Sequence, residues 1–188
     1  MHLQRYIRTW LHAGLVVLLA GMATLAHAES DPRQVVSDAV ERMTSRIEAE
    51  REALKADPDK AKALVREELA DLVDFKRITR MVMGDYFGPS SKEQKYRFLD
   101  VFKNSLINTY ASGITLYDGQ KIETLPMQDG DRKGDYARVR MEVKTNSGQV
   151  VPIYYTLFLR DDQWKVINVY VNGLDLRDTF KSQFAQGM

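Results

Sequence analysis

The sequence predicts an α+β domain in which helices come first and an antiparallel sheet follows. Up to about Gly113, apolar residues recur with the 3.6-residue period of amphipathic helices. Beyond it, apolar and charged residues alternate with a period of 2, which is typical of strands that have one buried and one solvated face. A run of helices followed by a run of strands is the element order of α+β domains.

The first 28 residues have the layout of a secretory signal peptide. Arg5 and Arg8 precede an apolar run, and Ala26-His27-Ala28 forms the small-x-small end after which we expect cleavage. The alternative is an uncleaved membrane anchor, because residues 9–28 include no Asp, Glu, Lys or Arg. That stretch barely reaches the roughly 20 apolar residues of a membrane span. We therefore expect a single mature domain of residues 29–188.

The expected mature chain contains neither histidine nor cysteine. The protein has no cysteine, and its three histidines are His2, His12 and His27. This excludes Ser-His-Asp triads, Cys-His dyads, histidine bases and zinc sites with His or Cys ligands, whereas carboxylate pairs and lysine chemistry remain open. Loss of two arginines leaves 25 basic against 26 acidic residues, a net charge of −1, which does not suggest a nucleic-acid partner.

Two long helices are predicted first. Asp31 is a suitable N-cap and Pro32 a suitable first helical residue, and Asp57-Pro58 breaks the helix. The apolar stripe of this first helix consists of Val36, Val40, Met43, Ile47 and Leu54. The second helix starts near Asp59 and places on one face Leu64, Val65, Leu69, Leu72 and Val73.

Two further helices are predicted before the sheet. Asp74 can cap a short third helix, which ends near Gly84 and carries Phe75, Ile78, Met81 and Val82. After a loop at Gly88-Pro89, the Ser-Ser-Lys-Glu stretch of residues 90–93 predicts a capping box for the fourth helix. The apolar face of that helix holds Phe98, Phe102, Leu106 and Tyr110.

Period-2 alternation predicts the sheet. A first strand, or pair of strands, is expected between Ile114 and Leu125, with a bend at Asp118-Gly119. Turns then separate strands over residues 137–144, 150–160 and 164–171. Gly173 is expected to end the sheet, and a short helix over residues 178–184 to close the chain.

The last two strands are unusually apolar. In residues 150–160, one face carries Ile153, Tyr155, Leu157 and Leu159, and the other carries Tyr154 and Phe158. The last strand is ambiguous, since one face joins Asn168 to Trp164, Val166 and Tyr170, and the other joins Lys165 to Ile167, Val169 and Val171. A filled core under the helices is the simpler interpretation, but periodicity does not distinguish a filled core from a hollow one.

Polar motifs offer little chemistry. In DGDRKGD, residues 129–135, three residues fit an EF-hand calcium loop, but Lys133 falls on position 5 and Arg140 on position 12, where a glutamate is required. A solvated turn is the better interpretation. Lys76, Arg77 and Arg80 form a basic cluster on the third helix, which is either a solvated face, a phosphate-facing rim or a docking surface.

Three stretches resemble the MlaC, or toluene-tolerance, family of periplasmic phospholipid-binding proteins. They are DLVDFKRITRMVMGDYF (71–87), KYRFLDVFKNSLINTYASGITLYDGQ (95–120) and VPIYYTLFLRDDQWKVINVYVNGLDLRDTFKSQF (151–184). The last stretch is the most specific, and the resemblance covers essentially the whole mature chain. Two positions depart from it: Asn168 stands where many members carry Asp, and Asp175 where many carry Ser.

The resemblance implies a helical layer packed on a strongly curved antiparallel sheet, with an NTF2-like shape and an apolar cavity between the layers. Acyl chains would lie in the cavity, with the headgroup near solvent. The implied protein is a monomeric periplasmic carrier with no catalytic residue, metal or cofactor, whose only ligand is its phospholipid cargo. It would shuttle lipid between the outer-membrane lipoprotein complex and the inner-membrane ABC transporter complex of the Mla system, and so maintain outer-membrane lipid asymmetry.

Two other functions remain open: a small NTF2-like enzyme that acts on an apolar substrate with a carboxylate base, and an interaction module with a solid core. For the carrier, the expected lipid-binding residues come from the apolar faces of the helices and strands. They are Leu72, Phe75, Val82, Phe98, Phe102, Leu106, Tyr110, Val139, Met141, Val143, Tyr155, Leu157, Leu159, Val169 and Val171. The expected partner-docking residues are Lys76, Arg77 and Arg80.

Overall fold

The structure is a computed structural model that describes residues 30–187; the predicted signal peptide, residues 1–28, lies outside the described residues. Within them the helices are α1 (Pro32–Ala56), α2 (Pro58–Leu72), α3 (Phe75–Met83), α4 (Lys92–Ile114) and α5 (Leu176–Gln186). The strands are β1 (Lys121–Thr124), β2 (Arg132–Lys133), β3 (Tyr136–Lys144), β4 (Val150–Arg160), β5 (Gln163–Val171) and β6 (Leu174–Asp175).

The strands form one sheet in the order β1-β3-β4-β5-β6, with β2 also paired to β3, and all these pairings are antiparallel. In the part of the chain that the structure describes, four α-helices precede this sheet, so the predicted α+β class is confirmed. Its strong curvature and NTF2-like shape stay predictions. Within the described residues, no helix has both the length and the apolar composition that crossing a bilayer requires.

The break between the first two helices follows the sequence closely. The carboxylate of Asp57 accepts hydrogen bonds from the backbone N–H groups of Asp59 and Lys60, and Pro58 occupies the first helical position. Asp57 therefore ends α1 and caps α2 at once, which folds the two helices against each other. A salt-bridge network between Arg46 and the carboxylates of Glu67 and Glu68 spans them.

Helix α4 differs from the prediction at both ends. The capping box pairs Ser91 with Gln94, because the hydroxyl of Ser90 donates instead to the carbonyl of Tyr86, at 2.7 Å. At its other end, α4 ends at Ile114 and residues 115–120 form turns and bends, so the first half of the strand predicted over residues 114–125 is wrong. Ile114 and Tyr117 pack against apolar residues of α1, α2 and α4, and this packing outweighs the local strand preference, so that within residues 114–125 only Lys121–Thr124 pairs with the sheet.

A β-bulge in β5 resolves the ambiguous last strand. Thr156 pairs with Asn168, but the next residue, Leu157, pairs with Val166, so Ile167 is the extra residue of the bulge. A bulge reverses the alternation of side chains along the strand. Trp164 and Val166 before the bulge therefore share the inner face of the sheet with Val169 after it.

Three apolar clusters form the core. The first joins α1, α2 and α4 through Ile47, Leu54, Leu64, Val65 and Ile107. The second packs α1 on the inner face of the sheet through Val36, Val139, Leu157, Trp164 and Val166. The third joins α3, α4 and α5 through Ile78, Val82, Phe102, Phe180 and Phe184.

The two positions that depart from the family resemblance lie against each other. The sheet does not end at Gly173: a turn there leads into β6, which pairs with β5 and brings Asp175 to the N-terminus of α5. The buried amide of Asn168 donates to both carboxylate oxygens of Asp175, at 3.0 Å each. Its side-chain oxygen accepts from the backbone N–H of Arg177, at 3.2 Å. Asn168 therefore anchors α5 to the sheet.

Asp175 is held as a carboxylate. Burial by itself would raise its pKa, but the backbone N–H of Asp178, the Asn168 amide, the Tyr170 hydroxyl and the charge of Arg177 together lower the pKa below its usual value. A carboxyl group whose pKa is lower in the folded state stabilises the fold above its unfolded pKa. That stabilisation is lost as the pH falls through the folded pKa.

Replacement of Asn168 by aspartate should therefore destabilise the fold at neutral pH, because it removes the amide donor and sets two carboxylates against each other. We expect Asn168→Asp to lower the free energy of unfolding by about 1–3 kcal/mol, measured by urea unfolding followed by circular dichroism. Asp175→Ser in the same chain should restore most of it, since serine can accept the helix N–H and donate to the new carboxylate. The coupling between residues 168 and 175 would be contradicted if Asn168→Asp did not lower the free energy of unfolding. It would also be contradicted if adding Asp175→Ser did not restore that free energy.

Candidate functional site

A cavity of about 440 Å³ lies between the helical layer and the inner face of the sheet. Helix α1 contributes Val36, Ala39, Val40, Met43, Thr44 and Ile47. The ends of α2 and α4 and the segments that follow them contribute Glu68, Leu69, Leu72, Val73, Tyr110, Gly113, Ile114 and Tyr117. The sheet contributes Ile122, Met141, Val143, Tyr155, Val166 and Val169.

Three features of the fold determine where this cavity lies. The spacing of the apolar residues on α1 directs one continuous stripe of the helix toward the sheet. The bulge at Ile167 lets Val166 and Val169, which are three residues apart, line the same cavity. The junction of α2 and α3 is tied to β5, since the backbone N–H of Asp74 donates to the carbonyl of Val166 at 3.0 Å.

The polar groups of the lining are mostly paired. Glu68 is its charged member, and the Glu68 carboxylate receives Arg42 and Arg46 at 3.3 Å each. The hydroxyl of Thr44 donates to the carbonyl of Val40 at 2.9 Å, and that of Tyr117 donates to the carboxylate of Glu48 at 3.3 Å. The cavity therefore presents an apolar surface whose one carboxylate is already compensated.

Tyr155 and Tyr110 differ from the other polar residues of the lining, because their hydroxyls lack a strong hydrogen-bond acceptor in the described part of the chain. Among residues 30–187, the hydroxyl of Tyr155, on β4, has only the sulfur of Met141 as its hydrogen-bond partner, at 4.0 Å. Burial raises the pKa of the Tyr155 phenol far above its usual value, and the neighbouring Tyr110 adds to the rise. Burial also raises the pKa of Tyr110, on α4. Both phenols are thus neutral at physiological pH, where they can donate a hydrogen bond but do not act as bases.

The structure brings together six of the residues that the sequence predicted to bind lipid. They are Leu72, Tyr110, Met141, Val143, Tyr155 and Val169. These six come from α2, α4, β3, β4 and β5, so the cavity is assembled from both layers of the domain.

The other predicted lipid-binding residues lie outside this lining. Val139 and Leu157 are fully buried in the filled part of the sheet cluster, and Leu159 packs against it. Val82, Phe98, Phe102 and Leu106 pack with the phenylalanines of α5, where the ring centroids of Phe98 and Phe184 are 4.7 Å apart. Phe75 borders a polar cleft beside α3, and Val171 lies beyond the cavity on β5. Their role as lipid contacts stays a prediction.

The sequence-based assignment missed the wall formed by α1. Val36, Val40, Met43 and Ile47 were recognised as an apolar stripe, but the assignment favoured the third and fourth helices as the cover of the sheet. Length was a signal against α3: α1 has 25 residues and α3 has nine, so α1 can extend much farther along the sheet face than α3.

The predicted docking residues do not form one surface. The guanidinium carbon of Arg77 lies 3.5 Å from the centroid of the Phe158 ring, and Arg77 donates to the hydroxyl of Tyr136 at 2.9 Å. Arg80 lies over the ring of Phe87, at 5.5 Å. Lys76 borders the cleft beside α3, with Lys103, Arg160 and Lys165. Arg77 thus lies against the sheet, whereas Lys76 and Arg80 are exposed and, four residues apart on α3, share a face of the helix.

The described residues contain no candidate metal site. Within residues 30–187, no three His, Cys, Asp or Glu side chains are grouped so that they could hold a metal ion. What the cavity offers chemically is a large apolar contact surface and two neutral hydrogen-bond donors.

Comparison with a solved structure relates this geometry to a lipid complex. A phospholipid-binding protein from Ralstonia solanacearum, solved in complex with a phospholipid, superposes with a TM-score of 0.76 at 29% sequence identity. The similarity covers 84% of this chain and 87% of the other.

Sequence comparisons agree with the structural one. The chain is 34% identical to the toluene tolerance protein ttg2D of Pseudomonas putida, over 95% of this chain and 82% of that protein. It is 26% identical to the intermembrane phospholipid transport system binding protein MlaC of Haemophilus influenzae, over 94% of this chain and 84% of that protein. The model of the MlaC protein family matches residues 37–188. The chain therefore belongs to the MlaC protein family.

Proposed function

We propose that this protein is a periplasmic phospholipid carrier that holds acyl chain in the cavity between α1 and the sheet. The apolar cavity carries the proposal, because its lining suits hydrocarbon and its one carboxylate is compensated. Two relatives support it: the Ralstonia protein was solved with a phospholipid, and the Haemophilus protein belongs to an intermembrane phospholipid transport system. The predicted signal peptide supports the periplasmic location.

The energetics explain why a carrier is needed. Burial of one methylene group is worth about 0.8 kcal/mol, so exposure of two acyl tails with some 30 methylenes costs on the order of 20 kcal/mol. A free lipid therefore does not cross an aqueous compartment at a useful rate. A carrier whose cavity is as apolar as the bilayer makes transfer nearly neutral, and the direction of transport then comes from its partners.

The partners are proposed from the family. A carrier in the Mla system would receive and deliver lipid at the outer-membrane lipoprotein complex and the inner-membrane ABC transporter complex. Of the predicted docking residues, Lys76 and Arg80 are exposed, whereas Arg77 is stacked on Phe158 and only partly exposed. We propose Lys76 and Arg80 as docking residues, and Arg77 as a contact between α3 and the sheet.

Filling the cavity should displace lipid. We expect Val169→Trp to lower the amount of phospholipid that co-purifies with the protein several-fold, since the indole occupies part of the cavity. Bound lipid is measured by mass spectrometry of organic extracts, and the melting temperature shows whether overpacking, which costs about 1–3 kcal/mol, has been tolerated.

Val101→Trp is the control, because Val101 is an exposed valine of α4 that lies outside the cavity lining and is not among the expected lipid-binding residues. This variant should keep its lipid. Full lipid occupancy in a folded Val169→Trp variant would show that the cavity is not the lipid site.

Charge reversal on α3 should weaken docking. We expect Lys76→Glu with Arg80→Glu to reduce affinity for the membrane complexes at low salt, with a smaller difference at high salt because exposed charges are screened. Bound lipid should not change. The matched control is Arg66→Glu with Lys144→Glu, which makes the same change in charge at exposed residues of α2 and the far end of β3. Equal loss in both variants, or none in either, would place the docking surface elsewhere.

A further inference from the structure

The cavity has a hydrogen-bond donor for which the described part of the chain provides no good acceptor. Thr44, Glu68 and Tyr117 use their polar atoms on partners of their own. The hydroxyl of Tyr155 has only a thioether sulfur at 4.0 Å, and sulfur is a weak acceptor. A donor without a strong acceptor in apolar surroundings is costly, so Tyr155 has a reason to bind an oxygen atom that arrives with the ligand.

The position of Tyr155 favours a ligand contact over a structural role. Its pairing partners Val139 on β3 and Val169 on β5 place it in the centre of the sheet. Its ring lines the cavity from one side, and Tyr110 lines it from α4 on the other. Within residues 30–187 the hydroxyl of Tyr110 also forms no hydrogen bond, but Tyr110 is 40% exposed, so Tyr155 is the less exposed of the two donors that line the cavity.

The residues that line the cavity determine which kind of ligand oxygen can accept a hydrogen bond from Tyr155. A phosphate or carboxylate buried here would need a cation to compensate its charge, and none of the described residues that line the cavity is basic. A neutral phenol suits a neutral acceptor. In an acyl lipid, the acceptor that lies next to the hydrocarbon is the carbonyl oxygen of the ester.

We propose that the hydroxyl of Tyr155 donates a hydrogen bond to an acyl ester carbonyl of the bound lipid, and that the cavity thereby selects ester-linked over ether-linked lipids. Tyr110 is a second donor for the same ester region. The contact fixes how deeply the tail enters, since the ester must stop at Tyr155, and it leaves the charged headgroup outside the lining. This inference rests on the proposed carrier function.

The test is a competition between two lipids that differ only in the carbonyl oxygens. The full-length protein, exported and purified, is exchanged with an equimolar mixture of dipalmitoyl phosphatidylethanolamine and its dihexadecyl ether analogue, and the bound ratio is read by native mass spectrometry. We expect the wild-type protein to favour the ester by about 3- to 10-fold, the effect of one net hydrogen bond. Tyr155→Phe should bring the ratio close to one, because it removes only the hydroxyl.

Tyr117→Phe is the matched control. It removes the hydroxyl of another tyrosine that lines the cavity, but one that already donates to Glu48, so the ester preference should persist. Equal binding of both lipids by the wild-type protein overturns the inference, whether or not Tyr155→Phe folds, and so does an unchanged preference in Tyr155→Phe. Failure of the wild-type protein to bind either lipid would instead contradict the carrier function itself.

Discussion

The register shift at Ile167 is the constraint on which the rest of the structure depends. In a regular strand, Val166 and Val169 would face opposite sides of the sheet, and Asn168 would share a face with Trp164 and Val166. The bulge instead turns Val169 into the cavity and turns Asn168 toward Asp175 and α5. One inserted residue thus keeps a polar amide out of the apolar cavity and uses it to anchor the C-terminal helix.

The apolar surface of the sheet serves two purposes. Around Val139, Leu157 and Trp164 it is filled, and this cluster supports the fold. Around Met141, Val143 and Val169 it is left open under α1. The aromatic cluster of α3, α4 and α5 packs separately, so much of the apolar core lies outside the cavity. That separation is what a carrier needs, since its cargo must leave without unfolding it.

The positions of the helices and strands were easier to predict from the sequence than the way they pack against one another. Local signals such as Asp57-Pro58 and the alternation of residues 137–144 depend on nearby residues, and they located the helices and the long strands. The bulge at Ile167 and the path of residues 114–120 depend on partners that are distant in the sequence, so local periodicity left the faces of the last strand ambiguous and predicted a strand where the chain turns. The cavity was predicted from resemblance, but its wall was assigned to α3 and α4 rather than α1, because apolar spacing does not tell which stripe covers which part of a sheet.

The central claim is that the protein carries an intact phospholipid in an apolar cavity and performs no chemistry on it. Mass spectrometry of an organic extract of the purified, exported protein tests this most directly. We expect intact diacyl phospholipid in nearly stoichiometric amount, unchanged during prolonged incubation. An extract without phospholipid, or the release of free fatty acid or lysolipid at a rate proportional to protein concentration, would contradict the account.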